Sequence, residues 1–460
     1  MALLGFVSTM LLTRVLSERV YAMYGLLTSF VTALATIISL GYDASYSRFF
    51  YLNSKPYKKY LFDCIKYPII VFLLLLVGFF EPKHFLIRYV FGENFSPFLI
   101  LFISIHIFLT LIQRFSQITA RMTEHALNYI ISNTLAKSGF VAIIFSVFLC
   151  KGKVSFLWVV LSFIISLSAG IITNLPLLSE KERVIYSHVE EINQRALLSF
   201  GFPLMVNNSL TLLIPMFERV IIRSLAGWKI LSIYTAAAIF QTVVSLLINT
   251  LDNIWNPLVY QKCDNPKEFK PLLHKFGMLC TIITSVGLAL CILFRRYLVI
   301  ILAENYHSVF IIIPALVYGS CLNIISAIYG IGINIQKKTY HLIISSVIQV
   351  VFSVLLCYML IPRFSLIGVA LASLISIVMS RIYRIAVGLY YYNTGVRENK
   401  AFLIWGISII VAFATMFLTG FVSDIIIFIL FVIFIFFIAN KDLRVLLKLS
   451  LLLLKKEKGI

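Results

Sequence analysis

The residues of this chain with the means to do chemistry are ionisable groups set inside apolar stretches. Asp43 and Arg48 lie on the second such stretch and its end, Arg114 on the fourth and Lys137 on the fifth. Glu218, Arg219 and Arg223 stand at the end of the seventh and Asp252 at the end of the eighth, with amides at Asn133, Asn207, Asn208, Asn249, Asn253, Asn323 and Asn334. A charge in hydrocarbon is unfavourable by about 3 kcal/mol or more unless it faces a partner or a wet cavity, so each group is a candidate for binding or coupling. Arginine's planar fork suits phosphate oxygens, and asparagine amides suit hydroxyls. Asn207 and Asn208 fall about three turns from Glu218 and Arg219, which makes the seventh stretch polar at two levels. Asn249, Asp252, Asn253 and Asn256 share one helical face.

Each position has a plainer reading. Arg48, Arg114, Arg223 and Asp252 lie at or within about two turns of the expected ends, where they can snorkel or cap a helix. Glu218 and Arg219 can form an ion pair that holds two helices, and Lys137, the deepest cation, can bond a carbonyl or a structural partner. The seven cysteines are scattered and show no spacing for zinc or a disulfide framework. His106 reads as a satisfied interior residue, and no histidine pair has metal-ligand spacing. Neither catalytic residues, a metal nor a cofactor is expected, and no Gly-x-x-x-x-Gly-Lys loop is present to bind ATP.

The elements that must position these groups follow from composition. Hydrophobic residues make up 61% of the chain and charged ones 13%, outside the range of water-soluble domains. With about 20 apolar residues needed per crossing, spans are expected near 1–13, 21–42, 62–80, 97–119, 127–150, 155–178, 197–218, 230–251, 276–299, 307–334, 341–361, 364–390, 401–419 and 422–440. No polar interval is longer than about twenty-five residues, which leaves no room for a folded soluble domain. All spans should be helical, because unpaired backbone cannot face lipid and the alternation of a barrel is absent. The first is short, with Arg14 close behind it, so either the start lies upstream of Met1 or this helix is interfacial.

Orientation follows from the cations. With the amino terminus inside, 26 of the 39 Lys and Arg residues fall inside, 12 outside, and Lys137 within a span, the asymmetry of cytoplasmic termini. Most of the net charge of +20 thus belongs to loops that meet anionic headgroups rather than nucleic acid. A repeat organises the chain: at an offset of 209, Arg14, Leu16, Asp43 and Tyr51 meet Arg223, Leu225, Asp252 and Tyr260. Tyr24 and Tyr234 agree after a slip of one residue, and Ile130-Ile131-Ser132 meets Ile343-Ile344-Ser345 at an offset of 213. Six intervening spans give the copies the same orientation. The expected organisation is an N-lobe over 1–178 (spans 1–6), a cytoplasmic linker over 179–196, a C-lobe over 197–391 (spans 7–12), and spans 13–14 with a basic tail over 392–460.

Several motifs, in this order, resemble a known family. Thr13-Arg14-Val15-Leu16-Ser17 leads to Tyr24-Gly25, and Ser39-Leu40-Gly41-Tyr42-Asp43 leads to Arg48-Phe49. Glu218-Arg219-Val220-Ile221-Ile222 stands where the family has Asp-Arg-x-x-Ile, and Pro362 to Ala370 matches Pro-x-x-Gly-x-x-Gly-x-Ala with Ser365 replacing the first glycine. The chain resembles the polysaccharide or O-antigen repeat-unit flippases of the multidrug/oligosaccharidyl-lipid/polysaccharide exporter superfamily, over essentially its whole length. That resemblance implies a transporter rather than an enzyme: an all-α protein of about 14 helices in the bacterial inner membrane, whose spans 1, 2, 7 and 8 line a central cavity. The implied cargo is a polyprenyl-diphosphate-linked oligosaccharide, and membrane lipids and a polysaccharide polymerase complex are the implied partners.

On that basis Arg48, Arg114, Arg219, Asn207, Asn208, Asn249 and Lys137 are expected to contact cargo, and Asp43, Asp252 and Glu218 to couple transport. A multidrug or cation exporter of the same superfamily would want a net acidic cavity, which the excess of Arg and Lys opposes. A peptidoglycan-precursor flippase would carry the same diphosphate. A polymerase or ligase would need a larger outside loop than Glu81 to Ser96.

The charge asymmetry places both termini and the segment 179–196 in the cytoplasm. Reporter fusions after Ile460 should be active only as cytoplasmic reporters; activity of a periplasm-specific reporter there would overturn the span assignment.

Overall fold

The computed structural model describes residues 2–51, 57–80, 85–179, 193–263, 265–392 and 399–457. Residues 180–192 of the expected linker lie outside the described residues, as do the side chains of Asn249, Asp252, Asn253 and Asn256. The described chain is all-helical. Its first helices are α1 (Ala2–Val15), α2 (Glu18–Ile38), α3 (Tyr42–Phe49), α4 (Tyr57–Phe79), α5 (Phe85–Phe91), α6 (Pro97–Met122), α7 (Ala126–Lys151), α8 (Phe156–Ile172) and α9 (Leu175–Ser179). Then follow α10 (Gln194–Lys262), α11 (Pro266–Leu298), α12 (Ile313–Tyr329), α13 (Gly332–Ile335), α14 (Tyr340–Tyr391), α15 (Asn399–Ala414) and α16 (Phe421–Glu457).

Among the described residues nine helices are long and apolar enough to cross a membrane, and a tenth is reached if the bent pair Glu304–Ile311 and Ile313–Tyr329 is one span. The chain is a multi-pass membrane protein. Two helices, α10 and α14, are long enough for two crossings: the 69 residues of α10 would run to about 100 Å if straight, against a hydrocarbon core of about 30 Å. Backbone breaks resolve this. Gly227 sits at φ 78°, ψ −178° inside α10, and Ser365 at φ 48°, ψ −119° inside α14. Glycine adopts such angles freely; serine at Ser365 does so at a cost of about 1–3 kcal/mol. This is the motif position where the resembling family has glycine, three residues after Pro362.

The chain divides into two compact units, Met1–Thr235 and Ala236–Ile460. In the first, α2 packs against α4, α6 and α8, α7 runs along α8, and α1 lies on α7. Ser132 of α7 donates to the Gly170 carbonyl of α8 at 2.7 Å and accepts from the Gln113 amide of α6 at 2.8 Å. The closeness requires glycine, since a Cβ on Gly170 would stand 2.8 Å from the Ser132 carbonyl oxygen.

In the second unit α11 packs on α12, α15 and α16. The Trp255 ring of α10 stacks on Phe276 of α11, with centroids 4.3 Å apart. Ser345 and Ser380 join the two halves of α14 reciprocally: Ser345 Oγ donates to the Ser380 carbonyl at 3.1 Å and Ser380 Oγ to the Ser345 carbonyl at 2.7 Å. Ser132 and Ser345, aligned by the repeat in sequence, thus both bond the backbone of the following apolar helical segment.

The C-terminal helices are fixed to this unit by a buried ion pair. Arg295 at the end of α11 donates from Nε to Asp424 Oδ2 at 3.0 Å and from Nη2 to Oδ1 at 2.5 Å. Its Nη1 reaches the Thr415 carbonyl at 2.7 Å and Nη2 the Leu418 carbonyl at 2.5 Å, so the guanidinium also closes the end of α15. Both side chains are essentially inaccessible, at 0% and 1% exposure. Removing one partner strands a buried charge: Asp424→Ala should destabilise the purified protein by about 3–5 kcal/mol, whereas the apolar double variant Arg295→Met, Asp424→Leu should recover most of the loss. Thermal unfolding in detergent checks both.

Candidate functional site

Polar residues of the first unit gather at two levels. The first is the break after α2, where Leu40 and Gly41 take φ of 49° and 79° and redirect the chain into α3. This turn aims Asp43 at α6. Its carboxylate accepts from Ser39 Oγ at 3.1 Å and pairs with Arg114 Nη1 at 3.3 Å. Tyr46 Oη lies 3.1 Å from Thr119 Oγ1, and Tyr60 of α4 donates to the Ser45 carbonyl at 3.1 Å, so α3 is held against both α4 and α6. The start of α10 closes on the same place: Ser45 Oγ donates to the Leu197 carbonyl at 2.6 Å and Phe49 meets Phe200 edge-on at 5.5 Å. Gly41 and Gly201 touch backbone to backbone, and a Cβ on either would overlap the carbonyl of the other.

The second level surrounds Arg219. Its guanidinium lies over the Tyr234 ring, 5.9 Å from the centroid, and Nη1 reaches the Pro215 carbonyl at 3.4 Å. Buried Glu218 turns to the same tyrosine and accepts its hydroxyl at 2.5 Å. Tyr24 is within electrostatic reach of Arg219 and stacks on Phe140 and Phe163. The tyrosines matched by the repeat, Tyr24 and Tyr234, therefore both attend Arg219. Arg219 Nε is buried and bonds nothing. One turn on, Arg223 donates to the Tyr89 carbonyl at 3.1 Å, and Arg19 pairs with Glu93 beside it.

Of the residues expected from sequence, the structure thus brings Asp43 to Arg114, and Glu218 and Arg219 to Tyr234. Asn207 and Asn208 lie on α10 between the two levels, the first half-buried and the second exposed. Arg48 is exposed at the end of α3. Lys137, expected to be the deepest cation, is exposed on α7 because the buried face of that helix is carried by Ser132, Phe140 and Ile144. His106 is buried and stacks on Phe163 at 4.5 Å, with Nδ1 lacking a hydrogen-bond partner. The side chains of Asn249 and Asp252 lie outside the described residues.

No group of three or more His, Cys, Asp or Glu side chains with metal-binding geometry occurs among the described residues. The arrangement provides guanidiniums, amides and phenols, a set suited to holding an anionic, hydroxylated ligand. Sequence reasoning missed Arg295, Asp424, Arg381 and Gln349. For Arg381 a signal was available, an arginine inside an apolar run with no Asp or Glu anywhere between Glu304 and Glu398.

A family profile described as "Polysaccharide biosynthesis protein" matches residues 1–258, more than half of the chain. Among solved structures, the chain is similar to a lipid II flippase, MurJ, in an inward closed conformation, with a TM-score of 0.70 and 17% identity over 96% of this chain and 97% of that one. It is also similar to a multidrug resistance MATE family transporter of the MOP superfamily in an inward-facing conformation, with a TM-score of 0.63 and 13% identity over 86% of this chain and 96% of that one. At these identities the likeness is one of fold. None of the curated proteins matches in sequence.

The Asp43 and Arg114 side chains keep 21% and 31% of their exposure, so their pair should be weak. A double-mutant cycle with Asp43→Asn and Arg114→Gln, read by thermal unfolding, should give a coupling of no more than about 1 kcal/mol. A coupling of several kcal/mol would make the pair a structural strut.

Proposed function

This chain belongs to the polysaccharide biosynthesis protein family, and we propose that it is a flippase moving polyprenyl-diphosphate-linked oligosaccharides, the repeat units of O-antigen or capsule, from the cytoplasmic to the outer leaflet of the inner membrane. The observation that supports this most directly is Arg219: a guanidinium among aromatic rings, its neighbouring carboxylate engaged by Tyr234, with a buried Nε that bonds nothing. An anionic headgroup with several acceptor oxygens would complete it. Arg114 and Arg48 supply further positive charge along the path, and Asn207, Asn208, Asn249 and Lys137 supply polar contacts for sugar hydroxyls. The polyprenyl tail stays in lipid while the head passes.

The breaks at Gly227 and Ser365 support the fourteen-span layout. Cutting α10 and α14 there, and counting α1, α2, α4, α6, α7, α8, α11, α12, α15 and α16 once each, gives fourteen apolar segments. In this reading spans 1–6 and 7–12 are parallel repeats joined by the cytoplasmic segment 179–196, and both termini are cytoplasmic. The matching serine bonds of Ser132 and Ser345 support the duplication. Transport proceeds by alternating access, with one lobe rocking against the other. Asp43, with its repeat mate Asp252, is the coupling group, since its half-open contact with Arg114 can be exchanged for the diphosphate. Glu218 tunes Arg219 through Tyr234.

Changing Arg219 to Ala should remove a charge-assisted contact of about 2–3 kcal/mol and lower surface polysaccharide output roughly 30- to 150-fold in a strain that depends on this chain. Protein abundance in the membrane should be unchanged. Lysine should rescue in part, since it keeps the charge and loses the fork. Normal polysaccharide from the double variant Glu218→Gln, Arg219→Gln would sink the cargo-contact assignment, because a neutral pair cannot offset a diphosphate.

A further inference from the structure

The second unit contains a cavity that the flippase reading does not use. It has a volume of about 210 Å³ and is lined by aliphatic and aromatic side chains, among them Ile248, Leu251 and Trp255 of α10, Phe276 of α11, and Ala327 and Ile328 of α12. Trp255 is 2% exposed, and its ring is held by the stack on Phe276, with the two planes 5° apart. Its Nε1 is buried with no hydrogen-bond partner among the described residues. Ile248, Leu251, Phe276 and Ala327 are only half-buried, so the cavity opens on their side.

A buried indole N–H ordinarily finds an acceptor. The side chains around this one offer none, since all the others that line the cavity are hydrocarbon. Water suits the place poorly, because a buried water needs about two to four polar partners and this wall supplies one donor. The competing account is a packing defect, and apolar cavities of about 150 Å³ can indeed stay dry. That account leaves the N–H unsatisfied. An occupant that answers both features has an apolar chain and a single acceptor. The depth of the site narrows the choice. Trp255 lies seven residues before the end of α10 at Lys262, about 10 Å along the axis, and exposed Lys267 and Lys275 stand on the stretch of α11 that leads to Phe276. Such cations mark the headgroup level, so the indole sits just inside it, where membrane tryptophans concentrate and where a glycerolipid carries its ester carbonyls.

We propose that this cavity binds an acyl chain of a membrane glycerolipid, whose ester carbonyl accepts from Trp255 Nε1 while its headgroup lies toward Lys267 and Lys275. An isoprenoid chain carries no acceptor along its hydrocarbon and would leave the indole unpaired, so the occupant is distinct from the polyprenyl cargo. The assignment requires only that the chain be embedded in a membrane, and it stands or falls separately from the role of Arg219.

The test uses the full-length protein in detergent with three probes: diester phosphatidylglycerol, its diether analogue with chains of the same length, and undecaprenyl phosphate, with binding read by native mass spectrometry. The wild type should bind the diester about three- to tenfold more tightly than the diether, the worth of one hydrogen bond. Trp255→Phe keeps a stacked ring and removes the donor; it should bind diester and diether equally, with little change in the thermal midpoint. Ala327→Leu fills the cavity and should weaken diester and diether alike by roughly tenfold, keep or raise the thermal midpoint, and leave undecaprenyl phosphate as in the wild type. If Trp255→Phe fails to fold, the ester preference of the wild type together with Ala327→Leu decides. Equal binding of diester and diether by the wild type, or an ester preference that survives Trp255→Phe, would overturn the proposal. So would undiminished diester binding by Ala327→Leu, which leaves a packing defect, or a loss confined to undecaprenyl phosphate, which makes the occupant an isoprenoid.

Discussion

Hydrocarbon offers no hydrogen-bond partners, and this single constraint accounts for most of what the chain does. Every backbone group must be satisfied within its own segment, which makes the described structure all-helical. Side chains meet the same demand. Many serines and threonines return a hydrogen bond to a carbonyl three or four residues back, as Thr281 does to Gly277 and Ser408 to Ile404. Others, such as Ser132 and Ser345, use the demand to tie one helix to the next.

Charges divide by how fully the fold satisfies them. Arg295 and Asp424 are saturated: two contacts to the carboxylate and two to carbonyls use up the guanidinium, which suits a fixed joint between α11 and the C-terminal helices. Asp43 and Arg114 are paired at longer distance and half-open, which suits a contact that can be exchanged. Arg219 keeps a buried Nε without a hydrogen-bond partner, and in the proposed reading that edge takes the incoming phosphate. The same residue type therefore serves three purposes, set by how many acceptors surround it.

Breaks in the helices matter as much as the helices. The turn at Leu40 and Gly41 lets α3 swing Asp43 toward α6 while Gly41 meets Gly201 without a side chain between. Gly227 and Ser365 interrupt helices that would otherwise run far past a bilayer, and Ser365 holds its angle at some energetic expense where a glycine would not. In each case a short deviation in φ decides which residues face each other over the turns that follow.

Much of the fold was legible in the sequence because it rests on composition and period: apolar runs of span length, helical type, and the family resemblance that the profile match and fold likeness support. The candidates Asp43, Arg114, Glu218 and Arg219 were visible because a charge inside an apolar run is conspicuous. Their partners were not. Whether Glu218 turns to Arg219 or to Tyr234, whether Lys137 is buried or exposed, and which helix Arg114 faces depend on helix rotation and neighbour choice, and one-dimensional spacing fixes neither. Arg295 and Asp424 escaped notice because they sit near span ends, where a charge is expected to snorkel, and only the packing of α16 on α11 buries them. The sequence by itself determined that charges must be accommodated within a membrane. The tertiary structure decided which of them are neutralised and which remain available, because that depends on distances of a few ångströms between residues from 16 to 129 positions apart.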